Sequence, residues 1–103
     1  MYYLVTARLT PDTAAQFHRQ LTDGTIAAQQ PDGEEIVASM NRARLSDDGR
    51  VRWSEVCYCA TPLAHERQTV YDHFFTDLQT TEAEGYVEFE GQPLMEYLAS
   101  LAD

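Results

Sequence analysis

The stretch from Val51 to Gln79 constrains the fold most, because it predicts a central strand that leads directly into a helix. Residues 51 to 60 contain neither Gly nor Pro and are rich in Val, Trp, Tyr and Cys, a composition typical of a half-buried strand. The two-residue period of a strand divides these side chains between two faces: Trp53, Glu55, Cys57 and Cys59 share one face, and Ser54, Val56 and Tyr58 share the other. Both faces are partly apolar, so we expect helices to cover one and further protein, such as a second subunit, to cover the other.

The residues after this strand predict a helix over 61 to 79. Thr61 suits the N-cap and Pro62 suits the first helical position, where a missing N–H is tolerated. At about 100° per residue the apolar side chains form one stripe, and its members are Leu63, Ala64, Val70, Tyr71, Phe74, Phe75 and Leu78. Arg67 falls near the middle of this stripe, and Glu55 likewise interrupts an apolar strand face. Because an unpaired buried charge is costly, the two residues are predicted to form an ion pair between helix and strand.

The rest of the chain predicts further elements around this unit. A first strand over residues 2 to 9 precedes a helix that starts after Pro11 and ends at Gly24, with Ala14, Phe17 and Leu21 at helical spacing. Residues 25 to 33 form a connection that we interpret as a candidate mobile lid. The remaining segments are a second strand over 34 to 45, a tight turn into the central strand, a polar loop over 79 to 84, a fourth strand over 85 to 90 and a last helix from Pro93.

Length and charge limit the possible partners. A chain of 103 residues with 44% hydrophobic residues forms a single domain, residues 1–103. The net charge is −10 and all seven cationic side chains are Arg, so we expect no binding to nucleic acid or anionic membranes, and cationic or neutral partners are favoured. The start lacks the basic segment of a secretory signal, and no apolar run approaches the roughly 20 residues of a membrane span, which indicates a cytoplasmic protein.

Cys57 and Cys59 are the two cysteines of the sequence, and their C-x-C spacing places them on one face of the predicted strand. Together with His65 they could ligate a metal ion, but zinc prefers four ligands, and the fourth would have to come from Asp72, His73 or another chain. Side by side on a strand face, the thiols also have poor geometry for bridging each other. The sequence therefore favours two buried, reduced thiols with neither a metal nor a cofactor.

Ser54 and Tyr58 are candidates for a small-molecule site, provided that the first and central strands pair. Tyr2 and Thr6 of the first strand would then lie beside them. These four side chains would line either a small pocket or, as the favoured alternative, the core of a dimer interface.

The predicted element order, βαββαβ with a terminal helix, resembles the ferredoxin-like plait. This resemblance implies an α+β fold with a four-stranded antiparallel sheet of strand order 4-1-3-2 and with helices on one face. The start YYLVTARLTPDTAAQF also resembles that of dimeric α+β barrel proteins, which include small monooxygenases and YCII-related proteins. The His and Asp pairing of YCII-type sites has no counterpart here, since His18 is the only early His and residues 34 to 45 contain no Asp.

Two functions follow from these features. The first is a homodimeric module that binds a small molecule or a protein. The second, implied by the barrel resemblance, is a cofactor-free enzyme, monooxygenase-like or YCII-like, with Glu55, Arg67 and Tyr58 in a cleft. The candidate ligand-binding residues are Ser54, Glu55, Tyr58 and Arg67, and the sequence assigns no catalytic residue.

Overall fold

The computed structural model describes residues 1–101 of the chain. They form one five-stranded antiparallel sheet of order β4-β1-β3-β2-β5. The strands are β1 Tyr2–Leu9, β2 Arg44–Leu45, β3 Arg50–Val56, β4 Phe75–Ala83 and β5 Gln92–Pro93. The helices are α1 Ala14–Thr22 after a 3₁₀ turn at Pro11–Thr13, α2 Gly33–Arg42, α3 Ala64–Glu66, a π-helical turn at Arg67–Tyr71, α4 Asp72–Phe74 and α5 Leu94–Leu101.

The core lies between the helices and one face of the two central strands. β1 and β3 pair antiparallel, as predicted, and place Tyr3 opposite Glu55, Val5 opposite Trp53 and Ala7 opposite Val51. All six of these side chains are buried. They meet the buried side of the helices, which includes Phe17 of α1, as the sequence predicted, and Leu98 of α5. Face alternation along β1 and β3 therefore organises the interior.

The predicted four-stranded ferredoxin-like plait is wrong, because the sheet has five strands and residues 34 to 45 form mainly a helix. Gly33, Ile36, Met40 and Ala43 are all buried, and their spacing of three, four and three residues is helical. Two glutamates in the first turn and Arg42 in the last turn complement the helix dipole. The alternation of Ile36, Ala38 and Met40 predicted a strand only because it overlaps this longer period.

The second half of the chain differs from the prediction in where its strand lies. The helix ends at Phe74, and β4 occupies residues that were predicted to end the helix and form a polar loop. β4 pairs with β1 at the edge of the sheet, so only its backbone groups that face β1 are paired in the sheet, and its solvent-facing side chains can be polar. Residues 85 to 90 are not a strand; instead Val87 exchanges hydrogen bonds with the Ser54 hydroxyl, of 2.9 Å through its N–H and 3.0 Å through its carbonyl.

The predicted ion pair between Arg67 and Glu55 is also wrong. Arg67 lies half-exposed and its Nε donates to Asp72 at 3.1 Å, whereas Glu55 is buried beside Tyr71. The reason is the π-helical turn, whose i to i+5 spacing changes the direction that a regular α-helix would give each side chain. Glu66 and Tyr71, five residues apart, both become buried, and Arg67 is turned outward.

Within residues 1–101, no helix combines the length and the apolar character that a membrane crossing requires.

Candidate functional site

A pocket of about 270 Å³ lies where β3 ends, beside the first turns of α2 and α3. The chain leaves β3 at Val56 and supplies Cys57, Tyr58 and Cys59, while α3 supplies His65 and Glu66. The third wall comes from the turn before α2 and its first helical turn, with Pro31, Asp32 and Glu35. We call this cavity the thiol–carboxylate pocket.

The two thiols and one carboxylate converge at the inner end of this pocket. The Glu66 Oε1 atom lies 3.6 Å from the Cys57 Sγ atom and 3.4 Å from the Cys59 Sγ atom. Ligand atoms of the three residues all lie within 4.8 Å of one another. Glu66 and Cys57 are buried, whereas Cys59 is partly exposed. The Cys59 backbone N–H also donates to the Cys57 sulfur at 3.2 Å, which fixes the loop that carries both thiols.

A histidine–carboxylate pair forms the side wall of the pocket. The His65 Nδ1 atom lies 2.9 Å from both oxygens of Asp32. This contact orients the imidazole, and the other ring nitrogen, Nε2, takes no part in it. Asp32 is mostly buried and His65 is 39% exposed, so the ring is accessible from the solvent side. The arrangement is the one that proteins use to orient a histidine for metal binding or proton transfer.

Burial governs the electrostatics of the inner end. It raises the pKa of Glu66, against hydrogen bonds from the Glu66 backbone and Cys57, and the nearby Asp32 carboxylate raises it further. Burial likewise raises the pKa of the Cys57 thiol to about 12. Ionising these groups is therefore costly in the absence of a neighbouring positive charge.

Backbone packing holds the third wall in place. Gly33 begins α2 against the preceding connection, where a Cβ atom would clash with the Ile26 backbone oxygen and lie 2.9 Å from that of Ala27. Glu35 accepts the Val56 N–H at 3.1 Å and the Tyr86 hydroxyl at 2.9 Å. Its position next to the pocket is thus explained by its role in ending β3.

The structure brings only one of the four predicted ligand-binding residues to this pocket. Tyr58 lies at its mouth and is 89% exposed. Glu55 is sealed in the core, Ser54 holds residue 87 on the opposite face of the sheet, and Arg67 is paired with Asp72 on the helix surface. The cleft of Glu55, Arg67 and Tyr58 that the sequence suggested is therefore not formed.

The sequence prediction missed Glu66 and Asp32. It identified Cys57, Cys59 and His65 as possible ligands but sought the further ligand in Asp72 or His73, which are both exposed. Cys57 is buried as predicted, but the same prediction is wrong for Cys59, which is partly exposed. The position of Glu66 next to His65, at the start of the helix, could have identified it as a further ligand. The π-helical turn changes which side chains face inward, so regular helical spacing did not point to Glu66.

Comparison of the chain with protein families, with curated proteins and with solved structures gave no match. The function is therefore argued from the pocket itself.

Proposed function

We propose that the protein is a binding module for a small cationic ligand and that the thiol–carboxylate pocket is its binding site. The observation that carries this proposal is the composition of the lining. Three carboxylates and two thiols line the pocket, and none of the lining residues in the described part of the chain is Lys or Arg. Arg42 offsets only Glu35, from outside the pocket, at 3.3 Å.

Burial strengthens this argument. A protein gains no stability from placing several acidic groups side by side in a poorly solvated position, since each disfavours ionisation of the next. Glu66 is 1% exposed, its side-chain hydrogen-bond partners are two thiols, and the Asp32 carboxylate lies close enough to raise its pKa. A bound cation would remove the cost of ionising this cluster, and the chain's net charge of −10 would attract such a ligand from a distance.

Thermal unfolding in the presence of small charged probes tests the proposal. A ligand at about 100 times its dissociation constant should stabilise the native protein by about 2.7 kcal/mol. We expect stabilisation by Zn²⁺ or by benzylammonium, and none by benzoate, which has a similar ring and the opposite charge. Glu66→Gln should remove the effect, whereas Glu34→Gln, which changes an exposed glutamate on α2, should retain it. Equal stabilisation by benzoate, or no response to either cation, would contradict the proposal.

We further propose that the module works as a cytoplasmic homodimer. Free thiols are compatible with a reducing compartment. Four large hydrophobic side chains are exposed at the end of the sheet near the pocket: Met1 at 54%, Tyr58 at 89%, Tyr86 at 49% and Val87 at 43%. Met1 pairs with the backbone of Cys57, which precedes Tyr58, and the Tyr86 ring packs edge-on against Tyr2, while Val87 bonds Ser54; the four are thus attached to the paired ends of β1 and β3. Sedimentation at micromolar concentration should give a dimer; a species of 11.7 kDa alone would refute it.

A thiol enzyme is the second candidate function. The partly exposed Cys59 shares the pocket with a histidine that a carboxylate orients, which are the parts of an activated nucleophile. An activated Cys59 should react with iodoacetamide much faster than free cysteine does at neutral pH, and His65→Gln should abolish the difference. Alkylation at or below the rate of free cysteine would exclude this function and leave the binding module.

A further inference from the structure

We infer that Cys57, Cys59 and Glu66 form a site for a thiophilic divalent metal ion of the zinc class, with a fourth coordination position open to the pocket. This inference rests on the proposed cation-binding function and names the cation. It replaces the sequence-based prediction that the two thiols serve only as buried structural side chains.

The separations of the donor atoms carry the inference. A zinc ion lies about 2.3 Å from a thiolate sulfur and about 2.1 Å from a carboxylate oxygen, so at a tetrahedral angle these two ligand atoms are about 3.6 Å apart. The corresponding distances from Glu66 Oε1 are 3.6 Å to Cys57 and 3.4 Å to Cys59. Both sulfur-to-oxygen distances therefore already match a zinc tetrahedron, and the two sulfur atoms lie within 4.8 Å of each other, compared with about 3.8 Å around a tetrahedral zinc ion.

The chemistry of the donors selects the type of ion. Two thiolates are soft ligands, which favour zinc and similar transition metals, whereas Mg²⁺ and Ca²⁺ require oxygen ligands in larger numbers. On binding, the ion would replace the protons of the two thiols and of Glu66 where it carries one, and these protons would pass to solvent. The positive charge would compensate the buried carboxylate, which is otherwise poorly stabilised at 1% exposure.

The surroundings fit an open site rather than a closed structural one. Three protein ligands leave one position for water or a ligand atom, the arrangement typical of exchangeable or catalytic zinc. Here the three donors line the same cavity as Tyr58 and His65, which leaves room for such a ligand beside them. The Asp32 carboxylate holds the His65 Nδ1 atom at 2.9 Å, so the orientation of the imidazole in this cavity is fixed.

Hydrogen bonds from the two thiols to Glu66 would give similar sulfur-to-oxygen distances without a metal. Co²⁺ binding distinguishes a metal site from such hydrogen bonds. We expect the wild-type protein to bind one Co²⁺ per chain with an intense thiolate-to-cobalt charge-transfer absorption, and Zn²⁺ to displace it. Excess Mg²⁺ should not compete. Cys59→Ser should weaken Co²⁺ binding by roughly a hundredfold or more and reduce the absorption, since loss of an outer partner alone costs about 10- to 100-fold. The control Glu34→Gln should bind as the wild type does.

A measurement on the wild type covers the case in which Cys59→Ser fails to fold. Zn²⁺ should slow alkylation of Cys59 by iodoacetamide, and Mg²⁺ should not. The inference is overturned if folded wild-type protein shows no thiolate-to-cobalt absorption, if a folded Cys59→Ser variant retains the full wild-type intensity, or if Zn²⁺ leaves alkylation unchanged. Should benzylammonium then still stabilise the protein through Glu66, the cation-binding function stands and only the metal is wrong. If benzylammonium also fails, both proposals are refuted.

Discussion

Glu55 lies on β3, and Glu66 lies on the helix that follows it. Both carboxyl groups are buried, yet their surroundings differ completely. Glu55 is 0% exposed, and its Oε1 atom accepts hydrogen bonds from the Trp53 indole at 2.9 Å and the Tyr71 hydroxyl at 2.5 Å. Glu66 is 1% exposed, but it faces two thiols and the wall of a cavity. One glutamate is enclosed by aromatic side chains and the other by potential metal ligands.

This difference shows that burial of an acid does not by itself identify a functional site. The apolar enclosure favours the neutral form of Glu55 in the core, and the Trp53 and Tyr71 donors satisfy its Oε1 atom. Within residues 1–101, the side chains that hydrogen-bond to Glu66 are those of two cysteines and no aromatic residue, and thiols are weak donors whose thiolates are strong metal ligands. The predictions below separate the two roles.

The largest expected effect is a fall in stability with rising pH that depends on Glu55. Burial, together with the charges of Glu66 and Glu35, raises the pKa of Glu55 to about 8, although hydrogen bonds from Tyr71 and Trp53 oppose the shift. In the unfolded chain the same group titrates near its ordinary value of 4.5. Between these two pKa values the folded state therefore binds more protons than the unfolded state. The stability that protonated Glu55 contributes is complete below about pH 4.5 and is lost as the pH rises to about 8. The loss is about 2 to 5 kcal/mol.

Urea unfolding of the wild type and Glu55→Gln at a series of pH values measures this effect. The variant should lose most of the slope, because a neutral amide cannot ionise. Trp53 is the only tryptophan, and its indole contacts Glu55, so its fluorescence should titrate near the same pH in the wild type alone. Identical slopes in both proteins would mean that Glu55 is ionised in the folded state. Glu34→Gln, at an exposed site, should retain the wild-type slope.

The next effect concerns the backbone that frames the thiol–carboxylate pocket. Gly33→Ala should destabilise the protein by about 3 kcal/mol or more, since the added Cβ meets the backbone of residues 26 and 27, which cannot move away as a side chain could. Gly85→Ala is the matched control, because a Cβ there meets nothing within 4 Å. Chemical denaturation of both variants tests this. Equal, small losses would show that α2 can shift, and that Asp32 is held less firmly than the structure indicates.

A smaller effect is expected from removing one hydroxyl in the aromatic enclosure. Tyr71→Phe leaves the ring packing against Trp53 but removes a donor to Glu55, which should cost about 1 to 2 kcal/mol. Because the Tyr71 hydrogen bond lowers the pKa of Glu55, its loss should also move the Trp53 fluorescence titration to higher pH. Co²⁺ affinity should not change. A weakened Co²⁺ site in this variant would show that the two glutamates act together, contrary to the comparison above.

Several parts of the fold could be predicted because local patterns and tertiary contacts agree there. The first strand coincides with β1, and Ala14, Phe17 and Leu21 form the buried side of α1 as their spacing indicated. The start of β3 and its inward face through Glu55 were also correct, but the strand ends at Val56 and not at residue 60 as predicted. The prediction failed over residues 34 to 45, where the strand and helix periods overlap, and in β4, where a polar edge strand leaves no apolar pattern to detect.

The candidate site was harder to predict for two physical reasons. The π-helical turn changes which residues of the second helix share a face, so a calculation at 100° per residue placed Arg67 inward and Glu66 at the margin. In addition, Asp32 reaches His65 only because the predicted lid segment packs against the start of α2, with Ile26 buried. That contact is long-range, so the spacing of residues along the sequence does not reveal it.

The smallest expected effect is at Arg67, where the sequence predicted one of the largest. An inward Arg67 paired with Glu55 would make Arg67→Gln costly, because it would leave a buried charge without a partner. In the structure Arg67 contacts Asp72 at 3.1 Å, and the two side chains are 42% and 53% exposed. Solvent weakens such a pair, so the free energy of unfolding should change by no more than about 0.5 kcal/mol.

The double variant Arg67→Gln with Asp72→Asn gives the matched test, since exposed partners should show little coupling in a double-mutant cycle. The Trp53 fluorescence titration should also be unchanged, because Glu55 receives its hydrogen bonds from Trp53 and Tyr71 and not from Arg67. A loss of about 3 kcal/mol with a shifted titration would instead restore the buried ion pair. Such a result would require a regular α-helix through residues 67 to 71, and it would remove Glu66 from the thiols on which the proposed metal site depends.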